Sequence, residues 1–328
     1  MVPPSLRAPL RHGTPYGGWV SGTGAATAAR ERVWRPAGPL DLGLTVGHLR
    51  RGGLDPCFRR TRDGAVWRAS RTPAGVGVVR LAARPAEGSV HATAWGDGGD
   101  WLLDRVPDLL GAQDDPSAFD PGGSRLLRDA HRRHAGLRIG RTGLVMESLV
   151  PAILEQRVTT GEAYRAWREL VVRYGTPVHG GLHAPPAARD WARIPSWEWH
   201  RAGVDGKRSA AVVRAARLAP RLEQASVLPP AEAVARLTSV PGIGLWTAAE
   251  TLQRSNGDTD AVSVGDLHLP NSVGWALAGR ERSDDEQMLE LLEPYRPHRY
   301  RACRLILLSS GAAPRRAPRY APLDISRF

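Results

Sequence analysis

An aspartate and a pair of glycines offer the clearest chemistry in this sequence. Pro241, Gly242, Ile243 and Gly244 form a tight turn between two predicted helices, because proline ends a helix and glycine reaches backbone conformations that other residues avoid. Peptide N–H groups at the start of the second helix attract a phosphate. Asp266 follows Gly244 by 22 residues, just before another predicted helix, where the helix dipole favours an ionised carboxylate. The sequence therefore offers an anion-binding turn and a carboxylate that stays charged.

Helices predicted over 231–237 and from Leu245 to Arg254 flank the turn, so residues 231–254 form a helix-hairpin-helix. Each part alone has an ordinary explanation. Such a turn joins helices in many proteins, and Asp266 could simply cap the helix that begins near Pro270. The combination at this spacing is far more specific than either part.

The hairpin, the spacer and the aspartate together resemble the helix-hairpin-helix, Gly/Pro, Asp superfamily of base-excision DNA glycosylases. The most similar branch acts on alkylpurines and includes 3-methyladenine DNA glycosylase II, because Trp246 stands two residues after the second glycine, as in that branch. The resemblance extends over residues 31–312 and is strongest over 144–160 and 237–271. It implies a monofunctional glycosylase that flips an alkylated, 3-methyladenine-like purine out of the duplex and hydrolyses its N-glycosidic bond in base excision repair, with Asp266 as the catalytic residue.

The resemblance also implies a base-binding pocket. Trp246 supplies an aromatic face that suits a cationic alkylated base. Two other pocket positions, which are aromatic in the family, fall on Glu250 and His298 in this sequence, a departure from the family pattern that leaves the substrate range open. Glu250 could attract a cationic base, hydrogen-bond a neutral one or point into solvent, and His298 could instead be a surface residue. Tyr295 and Tyr300 are the alternative pocket aromatics.

Further residues of the family's DNA-binding surface have counterparts in this sequence. Arg157, at the end of the helix predicted over 144–156, holds the position of the wedge that fills the gap left by the flipped base, although it could also be a solvated arginine at a helix end. Gly242 and Gly244 would present their amides to a DNA phosphate.

The resemblance implies one bound ion and no catalytic cofactor. In the family, backbone carbonyls of the hairpin hold a monovalent cation, and the matching positions are Thr238, Val240 and Ile243. A sodium or potassium ion is therefore expected at the hairpin.

The strand-cleaving branches carry a lysine at the position of Trp246, whereas the single lysine of this chain, Lys207, belongs to another predicted helix. The resemblance therefore implies no strand cleavage.

Composition is consistent with a nucleic-acid partner. The chain has 328 residues with 45 Lys and Arg against 33 Asp and Glu, a formal net charge of +12, and such charge favours a phosphate backbone. A GC-rich coding bias also enriches arginine, so charge alone does not establish a nucleic-acid partner.

Cys57 and Cys303 are too few for a disulfide framework, a structural zinc site or the iron-sulfur cluster of the endonuclease-III-like branch. We expect a cytoplasmic monomer that binds damaged double-stranded DNA and no membrane.

The period of the apolar residues changes along the chain and predicts an α+β fold. Residues 1–30 are predicted to be a disordered basic tail, and 31–113 a small antiparallel sheet domain with strands that begin near Leu40. An acidic linker follows over 113–123. Residues 114–313 are predicted to be an all-helical glycosylase domain, and 314–328 an irregular tail.

Two functions other than alkylpurine removal agree with these residues. A noncatalytic helix-hairpin-helix DNA-binding protein would use Asp266 only as a helix cap. A glycosylase for a different base lesion would explain the divergence at Glu250 and His298.

Overall fold

The structure is a computed structural model that describes residues 28–309. The tail predicted for residues 1–30 lies outside the described residues except at its end, where Arg30 already belongs to the first strand. The tail predicted for residues 314–328 lies wholly outside them.

Five strands form the predicted antiparallel sheet, in the spatial order β1-β5-β4-β3-β2. Their bounds are β1 (Arg30–Trp34), β2 (Phe58–Arg60), β3 (Val66–Thr72), β4 (Gly75–Arg84) and β5 (Ser89–Trp95). Alternating apolar residues place successive side chains on opposite faces. Val79, opposite Ala94, lies in a core beneath one face, and Val78, opposite Trp95, lies in a second cluster on the other face. The sheet is therefore covered on both faces.

Most of the remaining described residues are helical, in agreement with the prediction. The helices are α1 (Leu42–Val46), α2 (Gly99–Asp104), α3 (Val106–Leu109), α4 (Arg125–Arg133), α5 (Val145–Leu154), α6 (Thr160–Tyr174), α7 (Ala188–Trp191), α8 (Ser196–Arg201), α9 (Gly206–Arg217), α10 (Ala219–Glu223), α11 (Pro230–Thr238), α12 (Leu245–Ser255), α13 (Leu269–Ala278), α14 (Asp285–Leu292) and α15 (Arg299–Leu308).

The strand predicted near Leu40 is wrong, because residues 42–46 form helix α1. The carboxylate of Asp41 accepts a hydrogen bond from the N–H of Leu44 at 2.9 Å and caps this helix. An aspartate cap of this kind starts a helix even where leucines alternate. Leu42 and Val46 then face the same core as α2 and the sheet.

Helix caps set the other boundaries. The spacing of Thr159 and Glu162 predicts a capping box, and these two residues form it at the start of α6. The same spacing at Ser283 and Glu286 predicts a cap for α14, but the cap is formed one residue later, by Asp284 and Gln287. The helical region also contains a short hairpin that the sequence did not predict, formed by β6 (Thr176–Val178) and β7 (Leu182–Ala184), which packs on the outer face of the sheet.

Buried ion pairs join the sheet to the helices. Arg68 of β3 donates to Glu147 of α5 at 2.7 Å, and each side chain is 9% exposed. The segment predicted to be a linker is also anchored, because Asp114 pairs with Arg301 of α15 and both side chains are buried. The sheet and the helices therefore meet in a charged, buried interface rather than through a loose connection.

None of the helices within residues 28–309 combines the length and the apolar composition needed to cross a membrane.

Candidate functional site

The helix-hairpin-helix consists of α11, the turn 239–244 and α12. Gly242 has φ +95°, a left-handed conformation that favours glycine, and a β-carbon there would lie 2.9 Å from the β-carbon of Ala211 on α9. Gly244 has an extended φ of −97°, and no heavy atom lies within 4 Å of the position of its missing β-carbon. Folding therefore requires glycine at 242 but not at 244. The exposed side of Gly244 faces solvent and has room for a ligand.

The residues predicted to bind a cation are fixed by the same turn. The carbonyl of Val240 accepts the N–H of Ile243 at 3.0 Å, and both side chains are buried. The hydroxyl of Thr238 donates to the carbonyl of Val234 at 2.9 Å. Within the described chain no cluster of His, Cys, Asp and Glu side chains could hold a metal ion, so a cation at this turn would depend on backbone oxygens.

The turn between α5 and α6 holds Arg157 in a strained conformation. Arg157 is exposed and has φ 55°, which makes it the sole non-glycine residue with a positive φ in the described part of the chain. Such a conformation costs about 1–3 kcal/mol and persists only where neighbours enforce it. Glu155 pairs with buried Arg51 at 2.7 Å on one side of the turn. The structure thus places the predicted wedge at the tip of a rigid, exposed turn.

Gln156 joins this turn to the hairpin, a role that the sequence analysis missed. Its side-chain amide donates to the carbonyl of Gly242 at 3.0 Å and to the hydroxyl of Thr247 at 2.8 Å. Spacing along the chain could not reveal this contact, since Gln156 and Gly242 are brought together only by the packing of α5 on α12.

Asp266 lies before α13, as predicted, and both of its carboxylate oxygens accept hydrogen bonds. Oδ1 accepts the N–H groups of His268 at 2.8 Å and Leu269 at 2.9 Å. The side chain of Asp266 therefore caps the start of α13 from two residues before its N-cap residue, His268. Oδ2 accepts the indole N–H of Trp246 at 3.0 Å. The preceding Gly265 has φ +90° and donates its N–H to the carboxylate of Asp285 at 3.0 and 3.1 Å. The carboxylate is therefore held in a single orientation beside the indole.

A cavity of about 130 Å³ opens beside Asp266. It is bounded by α12, the loop before α13, the start of α13 and α15, and it reaches solvent near His268 and Leu307, both exposed. Its lining residues are Glu250, Gln253, Ala261, Val262, Ser263, Asp266, His268, Leu269, Ser272, Tyr300, Cys303 and Leu307.

Glu250 lines this cavity rather than pointing into solvent. Its Oε2 accepts from Arg254 at 2.7 Å and its Oε1 from the hydroxyl of Ser263 at 2.6 Å. Burial alone would lower the pKa of Arg254, but the negative charge of Glu250 raises it above its ordinary value. Arg254 therefore keeps its positive charge although it is buried.

The structure does not bring His298 to this cavity. Its ring is largely buried against Phe119, with ring centroids 6.2 Å apart, and its Nδ1 has no hydrogen-bond partner. Tyr300, the alternative aromatic, lines the cavity instead.

Neighbouring Cys303 is a poor nucleophile because burial raises the pKa of its thiol to about 12. Lys207 is exposed at the start of α9, an element that contributes no residue to the cavity.

Comparison with known proteins agrees with the sequence motif and the fold. Over 269 residues, 75% of this chain, the sequence is 33% identical to the "probable bifunctional transcriptional activator/DNA repair enzyme AlkA" of two Mycobacterium tuberculosis strains. This chain is an AlkA homologue. The predicted relationship to the 3-methyladenine DNA glycosylase II family is thereby confirmed. The alignment covers 53% of the AlkA proteins, so the chain spans about half their length.

Solved structures confirm the fold of this AlkA homologue. A 3-methyladenine DNA glycosylase from Archaeoglobus fulgidus matches with a TM-score of 0.73 and 19% identity, over 85% of this chain and 98% of that one. An 8-oxoguanine glycosylase/lyase from Clostridium acetobutylicum, solved with double-stranded DNA, matches with a TM-score of 0.66 and 13% identity, over 86% and 96%. No protein-family model matches the chain.

Proposed function

We propose that this AlkA homologue is a monofunctional DNA glycosylase that removes alkylated purines from double-stranded DNA. The observation that carries the proposal is the position of Asp266, whose carboxylate is fixed by Trp246 and by the start of α13 at the edge of a cavity next to the helix-hairpin-helix. A protein that only binds DNA requires neither this cavity nor a carboxylate oriented beside it.

Binding to the duplex begins at the hairpin. The open side of Gly244 lets a phosphate approach the amides of the turn, where the start of α12 adds a favourable dipole. Thr238, Val240 and Ile243 would hold a sodium or potassium ion through their carbonyl oxygens, and that ion would bridge the turn to a phosphate. Arg157 fills the space left in the duplex when the damaged nucleotide leaves the stack.

Bond cleavage depends on Asp266. Departure of the base leaves positive charge on the sugar, and a carboxylate already oriented by hydrogen bonds stabilises that charge without reorganising. The same carboxylate orients the attacking water. Trp246 does not line the cavity itself, but its indole lies beside Asp266 and offers a face on which the base stacks. Tyr300 lines the cavity. A purine alkylated at N3 or N7 carries a positive charge and leaves readily, so no general acid is required.

Strand cleavage is not part of the proposed reaction. It would require an amine near the sugar, but Trp246 occupies the position of the lyase lysine and Lys207 lies elsewhere. The product is an intact strand with an abasic site.

The test is base release from duplexes that carry one methylated, one deaminated or one oxidised purine. We expect release from the methylated duplex to be fastest. Preferential release from the oxidised or deaminated duplex would favour the glycosylase for a different lesion. Binding to all duplexes with release from none would favour the noncatalytic DNA-binding protein.

A further inference from the structure

Glu250 is the least expected residue of the cavity. It lies one helical turn after Trp246 on α12, so both side chains project from the same face of the helix. It lines the cavity together with Asp266 and Tyr300, and 15% of its side chain is exposed. The sequence resemblance implies an aromatic ring at this position, and this chain has a carboxylate there instead.

Two donors hold this carboxylate in place from different sides. Arg254 is 12% exposed and donates to Oε2, while Ser263 is buried and donates to Oε1. Movement of Glu250 into solvent would leave the guanidinium charge of Arg254 buried and unpaired, which is strongly unfavourable. Glu250 is therefore fixed against the cavity.

The bonds around Ser263 also connect Glu250 to the loop of Asp266. The carbonyl of Ser263 accepts the N–H of Asp266 at 3.2 Å. The side-chain amide of Gln253 donates to Ser263 Oγ and to the carbonyl of Ala261, each at 2.9 Å. The donors of Gln253 are therefore already engaged, whereas a carboxylate that accepts two hydrogen bonds retains about two acceptor sites. Glu250 is left as an acceptor that can serve a base in the cavity.

We propose that Glu250 is a specificity-determining residue whose carboxylate accepts a hydrogen bond from an N–H group of the flipped base and favours cationic bases. Arg254 and Ser263 are its positioning residues. Because this inference rests on the proposed glycosylase function, it concerns which bases are released and not whether release occurs. A site built to accept a hydrogen bond rejects a base that has no donor, since the buried acceptor is then unpaired. Cationic bases with N–H groups should be preferred, then neutral bases with N–H groups, then neutral bases without them.

The experiment measures single-turnover base release from three duplexes by the full chain and by Glu250→Gln. The duplexes carry 7-methylguanine, which is cationic and has N–H groups, hypoxanthine, which is neutral with an N–H, and 1,N6-ethenoadenine, which is neutral with none. In the parent, we expect release in that order. In Glu250→Gln, the ratio of the 7-methylguanine rate to the ethenoadenine rate should fall at least tenfold, equivalent to about 1.4 kcal/mol. Glu169→Gln, the same change on the exposed face of α6, should leave the ratio unchanged.

Two outcomes overturn the inference in distinguishable ways. A parent protein that releases none of the bases refutes the proposed function, and the inference with it. A parent that releases bases, with a ratio that Glu250→Gln leaves unchanged, refutes the role of Glu250 alone. If Glu250→Gln does not fold, Ser263→Ala decides, because it removes one positioning hydrogen bond and keeps the pair with Arg254. We expect its ratio to fall at least threefold, and an unchanged ratio again refutes the role of Glu250.

Discussion

The side-chain amide of Gln156 donates a hydrogen bond to the backbone carbonyl of Gly242 at 3.0 Å. This contact joins the turn that carries Arg157 to the glycine turn of the helix-hairpin-helix. The two parts of the proposed DNA-binding surface are therefore held at a fixed separation before DNA arrives, which lowers the entropy lost on binding.

Changing Gln156 to Leu should weaken this connection. It removes two hydrogen bonds, to Gly242 and Thr247, so we expect the free energy of unfolding to fall by about 1–3 kcal/mol. We also expect weaker binding to an abasic duplex, measured by fluorescence anisotropy. Gln113→Leu removes one exposed hydrogen bond to Asp108 and serves as the control. A Gln156 variant that binds the abasic duplex as tightly as the parent would show that the two turns act independently.

Valine at the two hairpin glycines should have different effects. Gly242→Val forces a β-branched residue into φ +95° and against Ala211. The backbone strain alone should lower the free energy of unfolding by about 1–3 kcal/mol, and the contact with Ala211 should lower it further. Gly244→Val meets no neighbour and should lower the free energy of unfolding by at most about 1 kcal/mol. Its affinity for damaged and undamaged duplexes should fall equally, since phosphate contacts are independent of sequence. Undamaged DNA bound by Gly244→Val with parental affinity would rule out the hairpin as the phosphate anchor.

Acid should destabilise the fold through His48. Burial, and then the positive charges of Arg304, Arg254 and Arg51, hold the pKa of His48 well below its ordinary value, and its Nδ1 is buried without a partner. The folded protein keeps this ring neutral, while the unfolded chain binds a proton below about pH 6.5, so the stability from this group is present above that pH and lost below it.

Urea unfolding measures this effect. Between about pH 7.5 and about pH 5.5, the parent should lose about 1.4 kcal/mol more of its free energy of unfolding than His48→Gln does. This is the effect of one proton that the unfolded chain binds over about one pH unit below its pKa. Equal losses in both proteins would show that His48 binds its proton equally well when folded.

Strand cleavage should be absent. Incubation of the protein and a methylated duplex with borohydride should trap no covalent complex, and the released product should be an uncut strand until alkali is added. Lys207→Ala is the matched variant, since Lys207 is the single lysine of the chain. A trapped complex that disappears in Lys207→Ala would contradict the monofunctional assignment.

Local signals in the sequence predicted the parts of the site that depend on a few neighbouring residues. Asp266 lies before α13 and Thr159 caps α6 because the residues that form these caps are adjacent in the chain. The positions of Gly242 and Gly244 followed for the same reason.

Contacts between distant elements could not be predicted. The bonds from Gln156 to Gly242 and from Ser263 to Glu250 arise only when separate segments pack. The sequence resemblance places His298 in the pocket, but Tyr300 of α15 lines the cavity and His298 lies against Phe119. Side-chain direction on a helix changes by about 100° per residue, so a small offset changes which residue faces a cavity.

The substitution Asp266→Asn distinguishes the role of Asp266 in folding from its role in catalysis. Asparagine is as good a helix cap as aspartate, so its carbonyl oxygen can still accept the N–H groups of His268 and Leu269. Its side chain lacks the negative charge that stabilises the positive charge developing on the sugar. The amide NH2 replaces Oδ2 and cannot accept the indole N–H of Trp246, so that one hydrogen bond is lost while the start of α13 stays capped. The overall fold and the affinity for an abasic duplex should therefore be unchanged.

Single-turnover release of a methylated purine by Asp266→Asn and by the parent tests the central claim most directly. With equal binding to an abasic duplex, we expect the variant to release the base at least about 100-fold more slowly, a barrier higher by about 3 kcal/mol. Release by Asp266→Asn at the parental rate would contradict the claim that the carboxylate of Asp266 catalyses the reaction.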